Sequence, residues 1–155
     1  MIVRVALKGL LPLACAWARK QETRILRLGV PLNPDQLRDA QRLGILHPDR
    51  VRLHAVNTVP MPLHPVLRQA AEKTGLISPA TIGMTLRYGI FLKSDFCADR
   101  RLIVHELAHT AQYERFGGFN AFLAQYLEEC LTIGYPFGPL ENEAKSLTQT
   151  ICGDC

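Results

Sequence analysis

The sequence predicts an α+β fold, a predominantly helical domain with a small sheet packed beside one central helix. The chain has 155 residues, of which 48% are hydrophobic and 21% charged, as expected for one ordinary globular domain. Apolar side chains recur at helical spacing over most of the chain, between polar capping residues and glycines. Alternating, β-branched stretches are confined to residues 51–92, which predicts a small central sheet.

The first predicted element is a helix over residues 2–27, where apolar side chains form a broad stripe. Pro12 lies inside this stretch, so the helix is expected to kink there or to divide into two pieces. The first eighteen residues also resemble a short signal peptide, with early cations and an apolar segment. Because Pro12 interrupts that segment and Arg19-Lys20 follow it directly, we favour a helix of the mature protein.

The next region predicts a second helix and a first strand. Asn33 followed by Pro34 is a typical start signal, since asparagine caps a helix and proline is favoured at its first position. This helix is expected to run to about Leu43, before Gly44. Residues 51–59, VRLHAVNTV, alternate in polarity and are rich in β-branched side chains, which favours a strand.

A proline-rich connection leads to a third predicted helix, over residues 66–74, that Gly75 ends. Residues 81–92, TIGMTLRYGIFL, have the composition of a strand but contain Gly83 and Gly89. Because a glycine inside a strand pattern marks a bulge or a turn, we expect either one bent strand or two strands here.

Three helices are predicted for the C-terminal part. Asp99 is expected to cap a helix that runs to about Phe116 and ends at two glycines. Asn120 is expected to cap the following helix, which continues to about Ile133. After a loop rich in glycine and proline, residues 140–151 form the last predicted helix. Since no linker separates these segments, we treat residues 1–155 as a single domain.

Charge and cysteine content exclude several classes of protein. The net charge of +4 is weak and spread along the chain without a nucleic-acid-binding motif, so no nucleic-acid partner is expected. No uncharged apolar run approaches the length of a membrane span. The five cysteines are scattered and odd in number, which favours reduced thiols and a cytoplasmic location. Cys152 and Cys155 have C-x-x-C spacing but follow a helix, so we expect a frayed terminus there instead of a redox motif.

The segment RLIVHELAHTA, residues 101–111, contains the pattern H-E-x-x-H. Residues four apart lie on one helix face, so His105 and His109 can reach one metal ion. Glu106 lies beside that face, where its carboxylate can take a proton from a metal-bound water. Apart from Glu106 and the histidines, residues 102–111 are uncharged, which favours a helix buried in a core over a solvated surface helix.

This segment resembles the active-site helix of the zincin metallopeptidases, on residues Val104–Ala111. In the gluzincin branch of that family, the third zinc ligand is a glutamate early in a later helix, with a small residue three positions on. Glu141 followed by Ala144 matches that arrangement best, and Glu143 is the second choice. The resemblance implies a zinc ion held by His105, His109 and Glu141. Three other downstream glutamates match less well: Glu114, Glu128 and Glu129.

One position departs from the gluzincin pattern. Many members carry an acid four residues after the ligand glutamate, where it holds the first histidine, but this chain has Lys145 there. Glu143 is the acid that remains available for that role. The branch with a third histidine ligand is excluded because no histidine follows His109. The remaining histidines are expected in loops or a strand without a metal role: His47, His54 and His64.

The resemblance also implies how a substrate is bound. In this superfamily the strand before the metal-binding helix adds an extended peptide to a sheet edge, and Tyr88–Leu92 occupies that place in the chain. A hydrogen-bond donor near the developing oxyanion is also required. Tyr135, in the loop before the predicted ligand helix, is the first candidate for this donor, and Tyr113 is the second.

The expected function is zinc-dependent hydrolysis of a peptide bond in a peptide or protein substrate. Glu106 is the expected general base, and Tyr135 is the expected oxyanion donor. Two alternatives stay open. One is a zinc-binding module of the same fold that cleaves nothing and acts in binding or assembly, which suits a chain with little room for a deep cleft. The other is a helical interaction protein with an incidental H-E-x-x-H. The resemblance covers residues 80–151, and residues 1–79 match no known pattern.

Overall fold

The computed structural model describes residues 2–153 and confirms the predicted α+β class, with helices surrounding a small mixed sheet. Six α-helices occur in these residues: α1 (Ile2–Leu28), α2 (Pro34–Arg42), α3 (Pro65–Thr74), α4 (Arg100–Phe116), α5 (Phe119–Thr132) and α6 (Pro139–Cys152). Four strands form the sheet: β1 (Val30–Pro31), β2 (Arg52–Val56), β3 (Gly83–Leu86) and β4 (Gly89–Lys93). Short 3-10 helices at Pro48–Arg50 and Ser94–Phe96 complete the elements.

Local capping determines where two of the helices start. The Asn33 side chain accepts a hydrogen bond from the Gln36 amide, and the Gln36 side chain accepts one from the Asn33 amide, both at 2.9 Å. Asp99 caps α4 by accepting from the Leu102 amide at 3.1 Å. α4 ends at Gly117, whose φ of 88° is left-handed. These caps were predicted from the sequence and are confirmed.

The sheet has the order β1-β2-β4-β3. β2 and β4 are parallel, whereas β3 and β4 form an antiparallel hairpin that turns at Arg87, with a φ of 59°. Residues 81–92 therefore contain two strands, one of the two expected arrangements. The strand predicted over 51–59 is shorter and ends at Val56. β1 has only two residues, too few to show a period in the sequence.

Two hydrophobic cores lie on opposite faces of the sheet, because successive residues of a strand point to opposite faces. Phe91 of β4 packs with α1 and α5 through residues such as Ile25 and Phe122. Its neighbour Ile90 packs on the other face, with α2 and with Leu107 of α4. β4 is consequently buried on both faces, and α4 is packed against the sheet.

Two helices hold the turn of the β3–β4 hairpin. The Arg87 guanidinium donates two hydrogen bonds to Glu22 of α1, at 2.8 and 2.7 Å, and the Tyr88 amide donates to the same carboxylate at 3.1 Å. From the other side, Thr110 of α4 donates to the Arg87 carbonyl at 2.7 Å. α1 and α4 thereby fix the hairpin beside the helix that carries H-E-x-x-H.

One local expectation is narrowed by the structure and another is wrong. α1 continues through Pro12 as one helix, so it does not divide into two pieces there. α5 begins at Phe119 with Gly118 as its N-cap, so the prediction that Asn120 caps this helix was wrong. Two consecutive glycines with positive φ reverse the chain immediately after α4, and Asn120 falls inside the first turn. Its side chain faces the Cys15 sulfur, with Sγ and Oδ1 4.0 Å apart.

Within residues 2–153, no helix has the length and apolar character needed to cross a membrane. The cysteines described there are free thiols: Cys15, Cys97, Cys130 and Cys152. The prediction for the C-x-x-C pair involves Cys155, which lies outside the described residues.

Candidate metal centre

α4 places His105 and His109 one turn apart on its face toward α6. Their Nε2 atoms are 3.2 Å from each other, and the rings meet edge to face. The His109 side chain is buried, whereas the His105 side chain is 22% exposed. The spacing of four residues, together with capping at Asp99, is sufficient to bring the two imidazoles to one point.

α6 brings Glu141 to the same point from the opposite side. One carboxylate oxygen lies 3.1 Å from Nε2 of His105, and the other lies 3.1 Å from Nε2 of His109. Glu141 is 5% exposed and lies in the first turn of α6. Ala144, which is fully buried, lies one turn further along the same helix, consistent with close approach of α6 to α4.

The three side chains could hold a metal ion. Their candidate ligand atoms all lie within 4.8 Å of one another. Zinc binds imidazole nitrogen and carboxylate oxygen at about 2.0–2.2 Å, which separates neighbouring ligand atoms by about 3.3 Å in a tetrahedron. The 3.2 Å between the two Nε2 atoms is close to that separation, and the two contacts of 3.1 Å are made by different oxygens of the Glu141 carboxylate. Three protein ligands leave a fourth position free, as catalytic zinc sites do.

A second layer of contacts orients His109. Its Nδ1 lies 2.8 Å from Oε1 of Gln112, so an Nδ1–H donating to this amide leaves Nε2 for a metal. The Gln112 amide group donates in turn to the Leu140 carbonyl at 2.9 Å and to Glu143 at 3.2 Å. Gln112 thus connects α4 to the start of α6, where Glu141 is located.

Glu141 also accepts a hydrogen bond from Tyr126 of α5, at 2.6 Å. Burial alone would raise the pKa of Glu141, but the hydrogen bonds to His105, His109 and Tyr126 hold it well below its usual range. Burial alone would lower the pKa of His109, but the hydrogen bond and charge of Glu141 raise it to about 9. Without a metal, these groups therefore form a buried ion pair.

Glu106 is buried against β3. Its Oε2 atom lies 2.6 Å from the Thr85 hydroxyl, which is also 2.8 Å from the Glu106 carbonyl. A Cβ atom at Gly83 would lie 2.8 Å from Oε1 of Glu106, so only glycine fits there without displacing the carboxylate. Glu106 lines the same cavity as His105, His109 and Glu141, beside the candidate ligands and not among them.

The two candidate oxyanion donors differ in position. Tyr135 lines the cavity together with the metal-binding residues. Burial raises its pKa to about 12, with the charges of Glu141 and Glu106 adding to the effect, so its hydroxyl stays protonated at neutral pH. Tyr113 is fully buried, is stacked on Phe122, and has its hydroxyl 3.4 Å from the Thr85 carbonyl.

Three of the four other glutamates considered from the sequence have structural partners. Glu129 accepts from the Leu140 amide at 2.9 Å and so caps α6. Glu114 accepts from the Leu46 and His47 amides and from the Tyr88 hydroxyl. Glu143 pairs with Arg115 at 2.8 Å and is hydrogen-bonded to Gln112, and Glu128 is exposed. Within residues 2–153, the groups that form a candidate metal site are His105, His109 and Glu141.

The expectation that Tyr88–Leu92 forms a sheet edge was wrong. β4 pairs with β2 on one side and with β3 on the other, so its backbone groups are occupied. The chain forms a hairpin, and the earlier strand, β3, lies at the edge next to α4. Gly83 of β3 lines the open groove at the site. The strand nearest to the helix in sequence is therefore not the one with a free edge.

Lys145 and the remaining histidines lie outside the candidate ligand set. Lys145 lines the groove at the site and donates to the Pro136 carbonyl at 3.2 Å. His64, expected in a loop, caps α3 by accepting from the Val66 amide at 3.3 Å. The other two histidines contact aromatic rings, at Tyr88 for His47 and at Phe91 for His54.

Three residues of the site were not anticipated. Gln112 lies three residues after His109, so helical spacing alone could have placed it on the same face. Tyr126 and Thr85 reach the site through the packing of α5 and β3, for which the sequence carries no local signal.

Comparison with known proteins returned no matching family model, no matching curated protein and no matching solved structure.

Proposed function

We propose that this protein is a zinc-dependent metallopeptidase. The observation that carries the proposal is the convergence of His105, His109 and Glu141, with the Glu106 carboxylate in the same buried cavity. Zinc bound by these side chains would polarise a peptide carbonyl and lower the pKa of a water to about 7. The resemblance of residues 104–111 to the zincins supports the same reaction.

Glu106 transfers the protons in this mechanism. It accepts a proton from the attacking water as the water oxygen bonds to the carbonyl carbon, and it delivers that proton to the amine nitrogen as the C–N bond breaks. Thr85 and Gly83 position its carboxylate, the first through a hydrogen bond and the second by leaving room for it. Tyr135 donates a hydrogen bond to the developing oxyanion, since its hydroxyl is protonated.

An extended substrate binds along β3. Among residues 2–153, β4 is the strand that pairs with β3, and the opposite edge of β3 has no strand partner. A peptide that adds to this edge forms main-chain hydrogen bonds and lies beside Glu106, because Gly83 approaches that side chain closely. The open groove lined by Thr81, Gly83 and Lys145 gives the peptide access to the site.

The experiment combines metal analysis with a hydrolysis assay on a mixed peptide library. Purified protein should contain about one zinc per chain and cleave some library members. Glu106→Gln should retain zinc and reduce kcat/KM by about 10²–10⁴-fold, the usual contribution of a general base. Glu128→Gln, which changes an exposed glutamate, is the matched control and should keep full activity. Zinc without hydrolysis in the wild type would reject a peptidase and favour the non-catalytic zinc module.

A further inference from the structure

α1 has an outer face that is exposed along its whole length. The opposite side of the helix packs against the sheet and α5 through residues such as Ala14, Ala18 and Ile25. The members of the outer face recur every three or four residues, and each is exposed: Ile2, Val5, Gly9, Pro12, Ala16, Lys20, Thr23 and Arg27. This face is therefore available to another molecule.

The first half of the outer face is uncharged and begins with two aliphatic side chains. Ile2 is 85% exposed and Val5 is 67% exposed, and they are neighbours on the helix surface because they lie three residues apart. Gly9, Pro12 and Ala16 continue the uncharged part to about 21 Å from Ile2, given the rise of an α-helix. Adjacent exposed aliphatic side chains mark a contact surface more strongly than single scattered ones do.

Basic residues occur along the whole chain, but their excess over acidic residues lies in α1. This helix contains six of the 18 basic residues and one of the 14 acidic residues. The other 12 basic and 13 acidic residues nearly cancel at neutral pH. The single acid of α1, Glu22, is buried and paired with Arg87, so the surface of the helix is cationic. The six exposed basic residues are Arg4, Lys8, Arg19, Lys20, Arg24 and Arg27.

Among residues 2–153, none of these six cations forms an ion pair with a carboxylate. Arg19 contacts the Phe119 ring, with its guanidinium 5.7 Å from the ring centre. Arginines of other helices do have acidic partners, as Arg38 of α2 and Arg115 of α4 show. A helix surface with several cations and no acid attracts an anionic partner.

We propose that the outer face of α1 binds the surface of an anionic lipid bilayer, with the helix lying parallel to that surface. Ile2 and Val5 enter the boundary between headgroups and acyl chains, and the basic side chains contact the anionic headgroups. The inference goes beyond the proposed peptidase reaction and does not depend on it. It assigns a role to a helix that lies outside the segment resembling zincins.

The combination of charge and apolar surface favours a bilayer over two other occupants. A second copy of the chain would bring two cationic helix surfaces together, and like charges repel across an interface. A nucleic acid would pair its phosphates with the cations but would leave Ile2 and Val5 without an apolar environment. An anionic bilayer provides both the negative charge and the apolar region.

Vesicle binding by the full-length protein tests this inference. Vesicles of phosphatidylcholine alone are compared with vesicles of phosphatidylcholine and phosphatidylglycerol in equal amounts, and bound protein is separated by centrifugation. Wild type should bind the anionic vesicles at least tenfold more tightly than the neutral ones. This difference should shrink in about 1 M salt, because salt screens the attraction between exposed charges.

Two variants separate the contributions of charge and apolar surface. Lys20→Gln removes one cation and should weaken binding to the anionic vesicles about fivefold, the effect typical of one basic residue near such a surface. Ile2→Ser/Val5→Ser keeps every charge and should weaken binding at least tenfold, since two aliphatic side chains are no longer transferred out of water.

Each variant has a matched control. Arg38→Gln removes one cation from α2, which packs on the face of the sheet opposite to α1. Leu46→Ser removes an aliphatic side chain that is 75% exposed and lies outside α1. Both controls should bind the anionic vesicles like wild type. Because all the substituted side chains are exposed, the urea midpoint of every variant should stay near that of wild type, which excludes misfolding.

Several outcomes would overturn the inference. One is equal binding to the two kinds of vesicle, and another is an equal loss in Lys20→Gln and Arg38→Gln. Tighter binding to duplex DNA, unchanged in Ile2→Ser/Val5→Ser, would identify a nucleic-acid surface instead. A dimer in analytical ultracentrifugation that this double variant dissociates would identify an interface between two copies. None of these measurements involves zinc or hydrolysis, so their failure leaves the proposed peptidase function untouched.

Discussion

Two buried glutamates illustrate how differently this fold uses the same side chain. Glu22 of α1 and Glu141 of α6 are 4% and 5% exposed. Glu22 accepts two hydrogen bonds from the Arg87 guanidinium and one from the Tyr88 amide. Glu141 contacts His105 and His109 and accepts from Tyr126. Each carboxylate thus has three or more hydrogen-bonding contacts with neighbouring groups.

The difference lies in whether the partners can give up their protons. Arginine is always charged and a backbone amide always donates, so the hydrogen-bond donors around Glu22 are always present. Glu22 therefore serves only to hold the hairpin. An imidazolium can give up its proton, and the nitrogen then becomes a ligand for a cation. A buried carboxylate is therefore a better indicator of a metal site when its partners are histidines than when they are arginines.

The largest effect is expected from removing the charge of Glu141. Glu141→Gln should lower zinc affinity roughly 10³-fold, since one of three protein ligands is lost and structural zinc sites bind with about 10–16 kcal/mol in total. Competition with a fluorescent zinc chelator measures this change. Glu143→Gln, two residues along the same helix, is the matched control and should keep zinc affinity. If Glu143→Gln lost zinc and Glu141→Gln retained it, the ligand assignment would be reversed.

The second effect concerns the Glu22 pair. Glu22→Gln leaves Arg87 without a counter-charge, so the free energy of unfolding should fall by about 2 kcal/mol. This is less than for a fully buried pair because the Arg87 side chain is 34% exposed and partly solvated. Urea denaturation measures the loss, and zinc content should stay at the wild-type level. Loss of zinc in Glu22→Gln would show that the hairpin clamp and the metal centre are coupled.

The histidines of the site could be predicted because their relation is local. His105 and His109 are four residues apart on a helix whose start and end are marked by Asp99 and Gly117, so helix geometry alone brings their rings together. Glu141 lies 36 residues beyond His105, and its assignment depended on resemblance to a family. The structure brings Glu141 to the histidines, as that resemblance implies.

Other features could not be predicted because they arise from tertiary packing. The last strand before α4 is central in the sheet, since the parallel pairing of β2 and β4 leaves β3 at the edge, and strand order is not encoded in local periodicity. Thr85 and Tyr126 reach the site from other elements in the same way. The N-cap of α5 is Gly118 and not the predicted Asn120, because the two consecutive glycines set the turn.

A third, smaller effect is expected at the second layer of the metal centre. Gln112→Met keeps the side-chain volume but removes the acceptor for Nδ1 of His109 and the donor for the Leu140 carbonyl. Zinc affinity should fall about 10–100-fold, which is typical for loss of a second-layer contact. Gln125→Met changes a glutamine of α5 whose amide donates to Glu129, and it is the control. Equal zinc affinity in Gln112→Met and wild type would show that α4 orients His109 without this amide.

An effect of pH is also expected, in which a protonation change leaves every side chain in place. In metal-free protein the pKa of His109 is raised to about 9 from an ordinary value near 6.5. A raised pKa stabilises the fold fully below pH 6.5, and this contribution is lost as the pH rises toward 9. The free energy of unfolding in EDTA should therefore fall between pH 6.5 and 9, and His109→Gln should flatten this change.

The same pH window also separates the two buried pairs. Arg87 stays charged throughout it, since its pKa is raised further by Glu22, so Arg87 contributes nothing to the slope. Zinc affinity should rise with pH over this range, because a metal ligand must first lose its proton. A slope that survives in His109→Gln and disappears in Glu22→Gln would assign the titration to the hairpin and contradict the distinction between the two glutamates.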